Sequence, residues 1–143
     1  MTALALVRPS ELDEVTPLVR PLLAEACART RRFTADDVID WIGEGKMQLW
    51  CVLAGGMAAR PRVKAVCVTE ILSYPRRTVL SVPVLVGEDR DEWLSHLDVL
   101  SRWARAQGCA EIEAMARPGW GRVLAPAGFK TTHIRIEKEL SDA

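Results

Sequence analysis

Few side chains in this sequence are placed to do acid–base chemistry, and Glu70 is the first of them. It lies near the end of a mostly apolar run, Val63 to Leu72 (VKAVCVTEIL). Burial raises the pKa of a carboxyl group, and a raised pKa suits a general base that works near neutral pH. A carboxylate at an exposed strand edge is more common, so we favour a surface position for Glu70 and keep the base as the alternative.

The cysteines and histidines form no recognisable metal or nucleophile motif. No two of the four cysteines make a CxxC pair, and only two histidines could join them as ligands. A zinc site is therefore not expected, and no Ser-His-Asp or Cys-His arrangement follows from the spacing. These residues are Cys27, Cys51, Cys67, Cys109, His96 and His133.

Length and charge limit the class of protein. A chain of 143 residues suits one domain, residues 1–143. Lys plus Arg and Asp plus Glu both count 19, so the net charge is zero, which argues against a nucleic-acid-binding face. The apolar run before Arg8 is too short for a signal peptide, and no run approaches membrane-spanning length, so we expect a cytoplasmic protein.

Three apolar runs in the middle of the chain predict an antiparallel meander. Turns at Gly55–Pro61 and Tyr74–Arg77 separate the runs. Pro83 lies inside the third run and has no N–H to donate, which predicts a bulge or an irregular strand. The runs are Met47 to Ala54, Val63 to Leu72 and Thr78 to Val86.

Helices are predicted before the meander. A strand at Ala3–Val7 is followed by a helical region that Ser10 caps, and Pro17 and Pro21 predict a break there into two short helices. The second of these should run from about Leu18 to Ala28. Thr34 and Asp37 then form a capping box for the next helix.

The most regular helical pattern runs from Asp91 to Gln107, with Asp89 and Glu92 as its cap. It predicts that one apolar face, which carries Trp93, Leu97, Leu100 and Trp103, is buried. The strand at Cys109–Met115 that follows should lie parallel to Thr78–Val86, because a helical crossover joins them. A short helix at Pro118–Ala125 and an alternating strand at Thr131–Leu140 complete the order.

This order of elements resembles the GNAT fold of N-acetyltransferases over nearly the whole chain. The sharpest local piece, Arg117–Phe129 (RPGWGRVLAPAGF), is similar to the GNAT segment in which a short helix ends in Gly-Phe before the last strand. Its RPGW variant resembles small GNAT-like proteins of bacteriophage and prophage genomes. The resemblance implies an α/β (α+β) fold: a mixed, mostly antiparallel sheet with one parallel strand pair and flanking helices.

GNAT enzymes hold the pyrophosphate of acetyl-CoA on a glycine-rich loop after the last meander strand, where backbone N–H groups meet the anion. The matching segment here, Val86–Glu92 (VGEDRDE), has one glycine and four carboxylates against Arg90. Like charges, and Asp89 as the N-cap, disfavour an incoming phosphate. The resemblance therefore leaves only Gly87 and Arg90 as candidate cofactor contacts.

The resemblance also bears on catalysis. Many GNAT enzymes use a tyrosine of the late short helix to protonate the leaving thiolate, and alignment on Gly128 and Phe129 puts Leu124 there. A carboxylate base on the meander strands is common in the family, and Glu70 is the residue that matches.

These departures favour a GNAT-fold protein with a degenerate acetyl-CoA site. It would need no cofactor and would act by binding, as an accessory or structural protein of phage or prophage type. A protein partner or a homo-oligomer is expected, in the cytoplasm or in a phage-type particle, with no nucleic acid, metal or membrane. Acetyl-CoA should then bind no tighter than about millimolar. The alternative is a divergent acetyl-CoA-dependent N-acyltransferase.

Overall fold

The computed structural model describes residues 3–54 and 62–141, and the strands within them form one five-stranded sheet. Strands β1 to β4 are antiparallel neighbours in chain order, and β5 lies parallel to β4. The predicted mixed sheet with one parallel pair is confirmed, while the predicted turn at 55–61 lies outside the described residues. The strands are β1 Ala3–Leu6, β2 Gln48–Ala54, β3 Arg62–Ser73, β4 Thr78–Gly87 and β5 Glu111–Ala114.

Helices cover both faces of the sheet. The first pair packs on the face that carries Val66 and Val68, and the later helices pack on the face that carries Ala65 and Cys67. None of the helices in the described ranges is long and apolar enough to cross a membrane. The helices are α1 Leu12–Cys27, α2 Ala35–Gly43, α3 Arg90–Trp93, α4 Asp98–Ala106 and α5 Trp120–Leu124.

Helix α1 is continuous, so the predicted break at its prolines is wrong. Pro17 and Pro21 are both exposed and lie opposite the buried stripe of Val19, Leu23 and Cys27. The carbonyl groups that lose their helical partners therefore face solvent, where water can hydrate them. Burial of the apolar stripe holds the helix together across both prolines.

Of the two predicted helix caps, one is confirmed and the other is wrong. The capping box of α2 is confirmed, because the Thr34 Oγ1 accepts from the Asp37 N–H at 3.3 Å and the Asp37 Oδ2 accepts from the Thr34 N–H at 2.9 Å. Ser10 does not cap α1. It lies inside a 3-10 turn, Pro9–Glu11, which Glu11 closes by accepting from the Arg8 N–H at 3.0 Å.

The predicted long helix from Asp91 to Gln107 is divided into α3, a 3-10 turn at Leu94–Leu97, and α4. Its apolar face packs as expected, since Trp93, Leu97 and Leu100 are all buried. Trp103 is only half-buried, and it packs edge-on against Trp50 of β2 with ring centres 5.4 Å apart.

Strand β4 bulges at Pro83, as the sequence predicts. Val84 pairs with Val68 and Ser81 pairs with Glu70, so two residues of β4 face one residue of β3. The extra residue reverses the facing of the strand. Val82 packs on the α3–α5 face, whereas Val84 packs on the α1–α2 face.

The predicted last strand, Thr131–Leu140, is wrong for the single chain. This segment pairs with no strand among the described residues, and every residue in it is exposed. It leaves α5 through a 3-10 turn at Ala125–Ala127 and Gly128, whose φ of 94° lies in the left-handed region. The segment alternates as a strand does, but alternation alone does not supply a neighbouring edge.

The sheet buries two thiols, Cys51 and Cys67. Burial raises the pKa of Cys51 to about 11, with a smaller effect of Glu11, and burial alone raises that of Cys67 to about 12. Both thiols are therefore neutral and shielded at physiological pH, which excludes them as nucleophiles in the native protein.

Replacement of Pro21 by Ala should stabilise the protein by about 1–2 kcal/mol. A proline inside a helix is less favourable than alanine by up to about 3 kcal/mol. Part of the stability gained by the substitution is lost, because alanine leaves the unfolded chain more flexible than proline does. Urea denaturation measures the change. Pro9→Ala is the matched control and should change stability by less than about 0.5 kcal/mol, because Pro9 opens a 3-10 turn where no N–H is needed. Equal effects of the two substitutions would contradict this account of α1.

The buried thiols predict a loss of stability at high pH. Because the folded-state pKa values of Cys51 and Cys67 lie above the ordinary value of 9.0, their contribution is complete below about pH 9 and declines as the pH rises. Denaturation at pH 7.5 and pH 10 checks this, with the double Cys→Ala variant as control for the slope. In the native protein at pH 8, a thiol reagent should modify Cys109 before either buried cysteine.

Candidate functional site

Strand β5 ends at Ala114, opposite Val82 and directly before the bulge of β4, and this leaves a gap beside the second half of β4. Strand β5 pairs with Val79–Val82 and with nothing beyond, so Pro83–Val86 has no β5 neighbour among the described residues. In an antiparallel ladder every second residue points its N–H and C=O away from its partner strand. The second half of β4 therefore presents free backbone groups to the gap, which is where an extended ligand could add to the sheet.

The gap is closed on the α3–α5 face. A cavity of about 20 Å³ remains there, room for about one water molecule. An acyl group does not fit in this cavity. The cavity is lined by Val82, Leu85, Leu97, Leu100, Ile112, Ala114, Leu124 and Phe129.

Three polar residues lie in one row on the α1–α2 face. Ser81 of β4 is in register with Glu70 of β3 on one side and with Glu113 of β5 on the other. Registered neighbours project to the same face with Cβ atoms roughly 5 Å apart. Glu70 and Ser81 are half-buried, and Glu113 is exposed. The row lies directly before the bulge, so two carboxylates flank the base of the gap.

The loop after β4 has a fixed backbone. The Glu88 N–H donates to the Lys64 carbonyl at 2.9 Å, and the Trp93 indole donates to the Glu88 carbonyl at 2.7 Å. Asp89 follows with φ 53° and ψ 56°, the left-handed region that side chains other than glycine rarely adopt. A left-handed residue before a right-handed one turns successive N–H groups toward one point, the arrangement called an anion nest.

The charges around this loop differ from those that the sequence of the loop alone indicates. Asp89 makes no side-chain capping bond. Instead its carboxylate and that of Glu92 both contact the Lys64 Nζ, the first at 3.1 Å. Glu88 pairs with Arg62 at 2.6 Å. The loop sequence shows four carboxylates against Arg90 alone, whereas β3 supplies two more cations, Arg62 and Lys64.

Lys64 is the centre of these pairs. Its hydrogen bonds to Glu92 and then to Asp89 raise the pKa of its ammonium group, so it stays charged throughout the physiological range. Its side chain is 15% exposed, while the carboxylates around it are about half exposed. The cation thus lies beneath the loop and reduces the repulsion that an incoming phosphate would meet.

The two predicted cofactor contacts have different surroundings. A Cβ on Gly87 would lie 2.5 Å from the Ala65 Cβ and 2.6 Å from the Lys64 carbonyl oxygen, so close packing on β3 requires glycine there. The Arg90 guanidinium lies over the Trp120 ring, 5.2 Å from its centre. This contact links the start of α3 to α5 and keeps a cation beside the loop.

In the described part of this site no tyrosine replaces the one that α5 lacks. Leu124 is buried in the core. Tyr74, the only tyrosine in the sequence, lies in the β3–β4 turn before β4 begins, at the end of the strand away from the loop. Within the described ranges, no group of three or more His, Cys, Asp or Glu side chains could hold a metal ion.

Sequence reasoning missed Arg62, Lys64, Ser81 and Glu113. Their roles depend on register: Ala65 faces Gly87, which brings Lys64 to the loop, and Ser81 faces both carboxylates. A strand pattern does not reveal which residues of its neighbours face it. The available signal was the alternation of VKAVCVTE, which places Lys64 and Glu70 on one face of β3.

No protein-family model matches the chain, and a search of curated proteins gave no match. Solved structures do match its fold. A probable acetyltransferase superposes with a TM-score of 0.74 at 13% identity, over 98% of this chain and 99% of that one.

Two further matches have more specific descriptions. Ribosomal-protein-alanine N-acetyltransferase from Brucella melitensis biovar Abortus 2308 has a TM-score of 0.69 at 14% identity, over 100% of both chains. AAC(6')-Iy, solved with the bisubstrate analogue CoA-S-monomethyl-acetylneamine, has a TM-score of 0.67 at 15% identity, over 99% of both chains. Identities this low show the fold alone. The chain therefore has the GNAT fold of these acetyltransferases.

Proposed function

We propose that this protein is an acetyl-CoA-dependent N-acyltransferase, the alternative that the sequence left open. The observation that carries the proposal is the second half of β4, which lies beyond the end of β5, has no β5 neighbour among the described residues and leads to the Glu88–Arg90 loop. The shared fold supports it, since one matching structure holds a CoA-containing bisubstrate analogue. A cytoplasmic location, where acetyl-CoA is available, is part of the same proposal.

The residues present fit acetyl-CoA, which would supply the acetyl group as a thioester. The free edge of Val84–Val86 suits the amides of the pantetheine arm, which could hydrogen-bond as an added strand. The nest at Asp89 and the Arg90 guanidinium suit the pyrophosphate. Lys64 and Arg62 balance the neighbouring carboxylates so that the loop can accept negative charge.

Glu70 is the proposed general base. An amine is protonated at neutral pH and must lose a proton before its nitrogen can attack the thioester carbon. The half-buried carboxylate of Glu70 would accept that proton, and Glu113 across Ser81 would help to hold a cationic acceptor. The new C–N bond forms as the C–S bond breaks, and the sulfur leaves with its electron pair as a thiolate.

The absence of a tyrosine at position 124 does not prevent this reaction. Thiols are much stronger acids than alcohols, with a pKa of about 8.5 for a cysteine side chain, so a thiolate is a fair leaving group and can take its proton from water. Loss of a positioned acid costs typically about 10²–10⁴ in rate. The proposed enzyme is therefore slower than one with a tyrosine at this position.

Leu124 also favours a second candidate, the non-catalytic binding protein of phage or prophage type. A protein that does not catalyse acetyl transfer needs no proton donor at this position and could carry a buried leucine there. This candidate needs neither acetyl-CoA nor Glu70, so the binding and rate measurements below separate the two.

Acetyl-CoA should bind with a micromolar dissociation constant, measured by calorimetric titration. Lys64→Met should weaken binding by about tenfold, because it leaves the carboxylates of Asp89 and Glu92 unbalanced beside the pyrophosphate. Lys46→Met is the control and should not change affinity, since Lys46 pairs with Glu44 after α2. Wild-type binding weaker than about millimolar would rule out the acyltransferase and favour the binding protein.

Glu70→Gln should lower kcat by about 10²–10⁴ and leave the affinity for acetyl-CoA unchanged. Release of the CoA thiol, followed with a panel of polyamines, aminoglycosides and lysine peptides, measures the rate. Glu44→Gln serves as the control for a surface carboxylate. If Glu113→Gln lowers kcat strongly and Glu70→Gln does not, then Glu113 and not Glu70 is the general base.

A further inference from the structure

Thr69 of β3 has a hydroxyl group in the interior of the sheet. Its exposure is 0%, and no other polar or charged residue within 3–54 and 62–141 is buried. A hydroxyl group that is removed from water needs hydrogen-bond partners, because its desolvation is otherwise not compensated. The partners of Thr69 therefore show which part of the structure depends on it.

Two side chains of β2 satisfy this hydroxyl. The Trp50 indole N–H donates to the Thr69 Oγ1 at 3.0 Å, and the Thr69 hydroxyl donates to the Gln48 Oε1 at 2.8 Å. Trp50 is itself fixed, since it is 2% exposed and packs edge-on against Trp103 of α4. The hydroxyl thus ties β3 to β2 and, through Trp50, to the helix layer on the α3–α5 face.

Thr69 is also the residue of β3 that faces the bulge of β4. The β3–β4 ladder is paired one to one on either side of it, while Thr69 alone lies opposite the two residues Val82 and Pro83. A bulge disrupts the ladder locally, and proline has no N–H to donate to it. Because β4 holds β3 less firmly at this point, the bonds from β2 fix the position of β3 there.

Glu70 follows Thr69 directly and projects to the opposite face of the sheet. Its half-buried carboxylate lies in register with Ser81, the last paired position of β4 before the bulge. A shift or rotation of β3 at Thr69 would move Glu70 out of this row. The place of the carboxylate thus depends on a hydroxyl group on the other side of the sheet.

We propose that Thr69 is a positioning residue, whose hydroxyl group fixes the bulge of β4 and with it the carboxylate of Glu70. The role of Glu70 as base rests on the proposed acyltransferase function. A general base must lie within hydrogen-bond reach of the amine, and a displacement of about 1 Å can lower the rate about a hundredfold. Thr69 faces the side of Trp50, away from Glu70, so it acts through the backbone of β3.

Two substitutions separate the hydroxyl group from the shape of the side chain. Valine has nearly the shape of threonine and already occupies buried positions of β3 at Val66 and Val68. Thr69→Val therefore keeps the packing but leaves the buried Trp50 N–H without its acceptor. Thr69→Ser keeps both hydrogen bonds and removes only a methyl group.

Amide hydrogen exchange of the full-length protein, followed by NMR, tests whether Thr69 holds the bulge. Thr69→Val should raise the exchange rates within 68–71 and 80–84 by at least about tenfold, and those within 65–67 and 85–87 much less. The indole N–H resonance of Trp50 should shift in this variant, and Thr69→Ser should behave as the wild type.

Cys67→Ala is the control for a general loss of packing. Cys67 is buried on the same face of β3, two residues before Thr69, and should not raise exchange selectively at the bulge when it is replaced. Exchange that is unchanged in Thr69→Val, or raised equally along both strands, would overturn the proposal.

Kinetics test whether the bulge positions the base. Thr69→Val should lower kcat by about tenfold or more and leave KM for acetyl-CoA unchanged, while Thr69→Ser should stay within about threefold of the wild type. In a Glu70→Gln background there is no carboxylate to position, so Thr69→Val should have little further effect. Equal fold losses in the two backgrounds would contradict the positioning role. An inactive wild type would count against the acyltransferase, and the exchange rates would then decide whether Thr69 holds the bulge.

Discussion

The bulge at Pro83 is the constraint on which the rest of this structure depends. Proline cannot donate to the ladder, and the extra residue that it brings into β4 reverses the facing of everything after it. Val84 and Val86 consequently pack under α1, whereas Val82 packs on the opposite face. Strand β5 ends at Ala114, level with the residue before Pro83, so β4 has no β5 neighbour beyond this point in the described part of the chain. The proline thus places apolar residues of β4 in the core on both faces, and the gap of the proposed reaction begins beside it.

The second determinant is the charge balance between β3 and the loop after β4. Gly87 permits close approach of the two strands, and this approach brings Lys64 beneath Asp89 and Glu92. Without Lys64 the loop would repel anions, as its sequence alone suggests. With Lys64 the carboxylates hold the loop in place, and Asp89 makes no side-chain capping bond to the N–H groups that follow it. An acidic loop can therefore coexist with a phosphate site when the neutralising cations come from another strand.

The sequence predicted the parts of the fold that periodicity determines. The meander, the parallel pair, the capping box of Thr34 and the bulge at Pro83 follow from alternation, helical spacing and proline chemistry. The sequence did not predict what register and burial determine. The continuity of α1 across its prolines depends on which side faces water, and the row at Ser81 depends on which residues of three strands meet. The charge of the site cannot be predicted from Val86–Glu92 alone, because Lys64, which neutralises part of it, lies on another strand.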